Sequence, residues 1–163
     1  MINFMENNVI ISMPGEGVTL GAFGSTLQFK VMTDQTDGRI GFYESMIPAN
    51  GAGPKLHYHK ETDETFIVTE GVLTLVTVEG EVQLPAGGVA CAPRLTPHGF
   101  KNDTNKPVRF FIVFNGIPHR EDFFYKLYKS LNEAPGDLEY FQQLYAEYDS
   151  YPCVDNMVPL TND

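Results

Sequence analysis

The chain has 163 residues, 42% of them apolar and 20% charged, a formal net charge of −10 and two cysteines. That length suits one domain able to bury roughly two-thirds of its unfolded surface, and the balance of residue types is globular rather than disordered. The acidic excess, with no run of Lys and Arg interleaved with aromatics, argues against nucleic acid as a partner. No apolar stretch approaches the ~20 residues of a membrane span, and Met1 to Ser12 lack the pattern of a secretory leader, so no membrane partner and a cytoplasmic location are expected. Cys91 and Cys153 read as free thiols.

From about Ser25 to Asn115, short β-branched and aromatic runs alternate with turn residues, the signature of an all-β sandwich or barrel. The expected strands are Leu27–Met32, Ile40–Ile47, Lys55–His59, Glu64–Thr69, Val72–Val78, Gly88–Ala92, His98–Asn102 and Val108–Phe114. After Pro118 the apolar period lengthens to about 3.6. Phe123, Phe124, Leu127, Tyr128 and Leu131 would line one helix face, and Leu138, Phe141, Leu144, Tyr145 and Tyr148 a second, with Asp137 as N-cap. Residues 1–118 are therefore expected to form the barrel and its N-terminal strands, and 119–163 a helical hairpin packed on it.

Within the barrel, His57 and His59 are two apart on one strand and project to the same side about 6.6 Å apart. Glu64 follows after a short loop and can turn its carboxylate toward the same ion. His98 lies on a distant strand that barrel closure brings near, with Pro97 presetting the backbone before it. The chain has four histidines; the remaining one, His119, sits in the barrel-to-helix connection and reads as solvated. Three imidazoles and a carboxylate suit a borderline divalent metal such as Fe, Mn, Ni, Zn or Cu, and leave open positions on any metal that prefers five or six ligands.

Gly51, His57-Tyr58-His59, Glu64 and Gly71 reproduce, with its spacing, the first motif of the cupin family. Gly87 through Asn102, with Pro93, His98 and Asn102, resembles the second. The resemblance implies an antiparallel double-stranded β-helix, the jelly-roll cupin barrel, over roughly Ser25 to Asn115. In one departure, Leu95 stands where the second motif usually has Gly, which implies a differently shaped loop before His98. The aromatic-rich C-terminal part resembles the tail of small single-barrel cupins related to quercetin dioxygenases.

Strand alternation places Lys55 on the face of His57 and His59, Phe66 and Val68 on that of Glu64, and Phe100 on that of His98. These four are the expected substrate pocket, with a wall of Phe42, Glu44 and Met46 as the alternative; Phe66 and Phe100 read equally as pocket wall and as barrel filling. The expected function is a metal-dependent, dioxygenase-type oxidoreductase acting on a small aromatic or electron-rich compound, with Glu64 as ligand and proton carrier. The alternative is a non-catalytic small-ligand-binding or regulatory module. A homodimer is expected because an open sheet edge or an aromatic helix face needs cover.

Overall fold

The protein is described by a computed structural model over residues 9–153. Of the expected extension, residues 154–163 lie outside the described part, as do residues 1–8. Two antiparallel sheets face one another. One runs in the order β1 (Thr19–Ala22), β2 (Ser25–Val31), β3 (Ile40–Ile47), β10 (Val108–Asn115), β5 (Asp63–Glu70) and β8 (Val89–Ala92). The other runs β11 (Tyr151–Pro152), β4 (His57–Tyr58), β9 (His98–Lys101), β6 (Val72–Thr77) and β7 (Gly80–Pro85). This is a β-sandwich of jelly-roll type.

Alternation builds the core. In β3 every second residue is buried, and in β5 the same holds for Glu64, Phe66 and Val68. Tyr43, Phe66, Phe110 and Phe114 from the first sheet meet Leu73, Leu75 and Phe100 from the second. Gly71 makes the β5–β6 turn at φ 77°, and a Cβ there would stand 2.6 Å from the Pro107 carbonyl oxygen. Only glycine fits such a turn without strain.

The expected strands all occur, but Lys55–His59 contracts to His57–Tyr58. β1, β7 and β11 were not foreseen. β7 is exposed along almost its whole length, so it carries no buried alternating face and is held by its ladder to β6. β11 has two residues and owes its place to pairing with β4.

Two helices follow, α1 (Arg120–Glu133) and α2 (Leu138–Glu147). α1 buries the five residues expected of it, and Phe124 packs against Phe29, Tyr43 and Phe114 at ring-centroid distances of 6.3, 5.3 and 6.0 Å. In α2, Phe141, Leu144 and Tyr145 are buried and Leu138 half-buried, while Tyr148, also half-buried, stands one residue past its end as C-cap. The Asp137 side chain caps α2 by accepting from the Tyr140 N–H at 3.0 Å.

α1 is also pinned through a buried carboxylate. Glu121 accepts from the Thr33 N–H at 2.7 Å, the Thr33 hydroxyl at 2.6 Å and the Tyr43 hydroxyl. The Tyr43 hydroxyl is held far above the usual phenol pKa by burial and by that carboxylate, so it stays a donor. Glu121→Ala leaves all three donors without a partner, and we expect it to cost about 3 kcal/mol or more, read from the denaturant midpoint.

Candidate metal centre

His57, His59, Glu64 and His98 converge inside the sandwich, each buried to 6% exposure or less. One ligand atom from each lies within 4.8 Å of the other three. Backbone pairing explains the convergence. β4 pairs with β9 so that His57 stands directly opposite His98, while Glu64 opens the inward face of β5 in the other sheet. Nε2 of His59 and Nε2 of His98 approach Glu64 Oε2 at 3.0 and 2.9 Å. The His57 ring lies 4.6 Å from that of His98 and 5.0 Å from that of His59, centroid to centroid.

Every ring is held from behind. Nδ1 of His57 donates to the Lys55 carbonyl at 2.8 Å, Nδ1 of His98 to the Thr96 carbonyl at 2.8 Å, and Nδ1 of His59 to the Asp149 carbonyl. A carbonyl only accepts, so each Nδ1 keeps its proton and Nε2 is the nitrogen that faces the cluster, free to ligate a metal once it carries no proton of its own. Fixed tautomers with converging Nε2 atoms and one carboxylate fit a divalent transition metal, whose histidine ligands typically donate their other N–H in this way. Bonds of ~2.0–2.2 Å reach across such a span after small side-chain adjustments.

The electrostatics point the same way. Burial drives the His57 pKa down to about 3, which keeps that imidazole neutral. Burial would raise the Glu64 pKa, but hydrogen bonds from His59 and His98 outweigh it and hold the group well below the usual carboxylate range. For His98, burial favours the neutral ring and the Glu64 hydrogen bond overcomes it, raising its pKa. A metal must therefore displace a proton from His98.

Leu95 stands in a left-handed turn, a conformation that favours glycine. It adopts φ 65°, at a cost of roughly 1–2 kcal/mol for an L-residue, and its N–H donates to the His59 carbonyl at 2.7 Å. The loop thus ties one ligand segment to another and delivers His98 into the cluster. His119 is 64% exposed and pairs with Asp34 at 2.9 Å, away from the cluster.

The residues expected around the cluster separate. Lys55 is exposed: the strand begins only at His57, so alternation does not extend back to it. A crevice of about 280 Å³ lies between β8 and the β6–β9 side of the second sheet, and Phe66 and His98 are among its walls with Leu75, Thr77, Ala90 and Ala92. Phe100 stands behind Phe66, 5.2 Å away between ring centroids, and borders a separate cavity of about 70 Å³ with Ile47 and Leu127. Val68 is fully enclosed in the core. Sequence reasoning missed Leu75, Thr77, Ala90 and Ala92, although the alternation within β6 and β8 carried the signal. It also missed Asp149, for which the sequence offers none.

Residues 43–114 match the family model described as Cupin domain. The match supports the cupin superfamily. Similar solved folds agree with it. A sugar phosphate isomerase from a cupin superfamily, from Silicibacter pomeroyi DSS-3, is 30% identical over 58% of this chain and 61% of its own, with a TM-score of 0.52. A predicted oxalate decarboxylase from Thermotoga maritima is 18% identical over 57% of this chain and 81% of its own, TM-score 0.53. KdgF from Halomonas sp. is 18% identical over 69% of this chain and 97% of its own, TM-score 0.58; these last two show likeness of fold alone. The chain thus spans 61% of the length of the isomerase it resembles. Comparison with curated proteins found no match. The matched residues 43–114 include all four cluster residues, whereas the Asp149 carbonyl behind His59 lies beyond them. Among the described residues no helix is long and apolar enough to cross a membrane.

The joint variant His57→Ala/His59→Ala should lose most bound metal, measured by elemental analysis of protein purified without chelators; full occupancy would place the site elsewhere. Because His98 holds its proton to higher pH than a free imidazole, acid competes with the metal. Apparent affinity should fall by up to about tenfold per pH unit as the pH drops through about 6.5 and below, measured by chelator competition, and a flat profile down to pH 5 would contradict imidazole ligation.

Proposed function

We propose that the protein is a metal-dependent oxygenase of dioxygenase type, acting on a small aromatic or otherwise electron-rich compound that carries an oxygen donor. The observation that carries this reading is the crevice at the cluster. Phe66, Leu75, Ala90 and Ala92 line it beside His98, and Glu79 is the one ionisable acid or base besides His98 and Cys91 along it. A small apolar pocket with one polar anchor is the usual make-up of a site for a compact organic ligand.

A sugar phosphate would bring a dianion, which calls for Arg or Lys to meet it. No Lys or Arg lines the crevice, and the net charge of −10 opposes such a substrate as well. This favours the oxygenase reading over the activity named for the isomerase relative.

A bound metal would supply a Lewis acid with open positions beyond the four protein ligands. Phe66 would hold the substrate ring against the cluster and, with Leu75 and Ala90, exclude water from it. Glu64 would manage the proton. The His59 and His98 hydrogen bonds keep it ionised, and wherever those bonds are lost burial favours the protonated form; its Oε2 can then hold a proton from a substrate hydroxyl. The second copy expected in solution belongs to this proposal too, as cover for exposed edge strands such as β7.

The test is oxygen consumption by the metal-loaded protein across a panel of flavonols, catechols and sugar phosphates. Substrate-dependent uptake with an aromatic compound, reduced at least tenfold by Phe66→Ala with metal content unchanged, is the expected outcome. Isomerisation of a sugar phosphate would overturn it, and tight binding of an aromatic compound with no oxygen uptake would establish a non-catalytic binding module instead.

A further inference from the structure

The C-terminal segment reaches the ligand cluster at one residue. α2 ends at Glu147, the Ser150 N–H donates back to the Tyr145 carbonyl at 2.9 Å, and between them Asp149 takes φ 55°. Aspartate tolerates that left-handed conformation better than most residues. The turn aims the Asp149 carbonyl at Nδ1 of His59, 90 positions earlier. The same residue's carboxylate accepts from two consecutive backbone amides, Lys60 N–H at 2.8 Å and Glu61 N–H at 2.9 Å. Those amides belong to the loop that separates His59 from Glu64.

Neighbouring contacts seat the turn. Tyr151 stacks on Tyr58 at 5.3 Å, Lys60 Nζ lies 3.8 Å above the Tyr151 ring, and the Cys153 N–H donates to the Leu56 carbonyl at 3.0 Å. Arg120, buried in α1, donates to the Tyr148 carbonyl at 2.6 Å. β4 is two residues long and meets β9 at a single residue pair, so β11 on its other edge supplies the rest of its ladder.

We propose that Asp149 is a positioning residue for the metal centre: its carbonyl fixes the His59 ring, its carboxylate clamps the His59–Glu64 loop, and the C-terminal segment thereby sets metal affinity. Asp149 touches no donor atom of the cluster and acts through His59. The inference rests on reading the cluster as a metal site and is independent of the reaction run there.

The probe is Co²⁺ alone, added to the full chain, with affinity from chelator competition and coordination from visible absorption. Asp149→Gly keeps the left-handed turn accessible while deleting the clamp, and Asp149→Asn keeps the shape with one fewer strong acceptor. Asp137→Ala is the control, since it removes the α2 cap and loosens the same segment without touching His59 or its loop. Asp149→Gly should weaken Co²⁺ binding about tenfold or more and alter the visible bands, as loss of a ligand's supporting partner does. Asp149→Asn should shift both in the same direction by less, and Asp137→Ala should lower thermal stability while leaving affinity within about twofold. Wild-type affinity and spectrum in Asp149→Gly would overturn the proposal, as would an equal loss of affinity in Asp137→Ala. Should Asp149→Gly fail to fold, unaltered binding in Asp149→Asn overturns it alone. A wild-type chain that takes up no Co²⁺ would refute the metal site itself, and the proposal with it.

Discussion

Three imidazoles and a carboxylate buried at 1–6% exposure impose the constraint on which the rest of the structure depends. Each polar group taken from water must find a partner, or the fold loses the desolvation energy of that group. Here the inner nitrogens of His59 and His98 turn to Glu64, and the outer nitrogens of all three rings to backbone carbonyls on separate segments: Lys55, Thr96 and Asp149. The cluster is thus held from outside as well as within, and its geometry is only as good as the three segments that carry those carbonyls.

Two of those segments are short loops of the barrel, and the one that carries Thr96 is tightly specified. Leu95 holds a left-handed turn that ordinarily favours glycine, tied by its N–H to the carbonyl of His59. Asp63, which precedes Glu64, accepts from the Arg94 backbone N–H at 2.9 Å and from its side chain at 3.2 Å; these bonds hold its carboxyl below the usual range. The loop before His98 and the strand of Glu64 are therefore joined at their edges as well as at the cluster. A contact of this exposed kind adds little stability, but it fixes where two ligand segments sit relative to each other.

The third segment belongs to the helices, which accounts for how strongly they are anchored. Glu121 binds Thr33 and Tyr43 of the barrel, and the neighbouring Arg120 guanidinium is packed 4.4 Å from Phe114 and 4.3 Å from Phe123, centroid distances. Burial lowers the Arg120 pKa, yet aromatic faces and the Tyr148 carbonyl solvate its charge in place of water. Phe114 in turn lies 5.9 Å from the His59 ring. Helix packing and ligand placement are in this way one problem: the aromatic face that α1 buries leads by single contacts to the back of the site.

The sequence by itself determined the elements with a repeating signal. Alternation in Ile40–Ile47 and Glu64–Thr69 settled two central strands, the longer period after Pro118 settled both helices, and the spacing of His57, His59 and Glu64 singled out ligands that one strand and the next can bring together. What has no period stayed hidden: β7, exposed along most of its length, and β11, defined by its partner strand alone; the crevice walls Ala90 and Ala92 do alternate inward along β8 but were not assigned to the pocket. Lys55 was misplaced because alternation was extended past the start of a strand only two residues long. Asp149 was decided by tertiary structure alone. Its hydrogen bond to His59 spans 90 residues and uses a backbone carbonyl, a group every residue carries, so no side-chain pattern can announce it until the chain has folded and brought the end of α2 against the ligand strand.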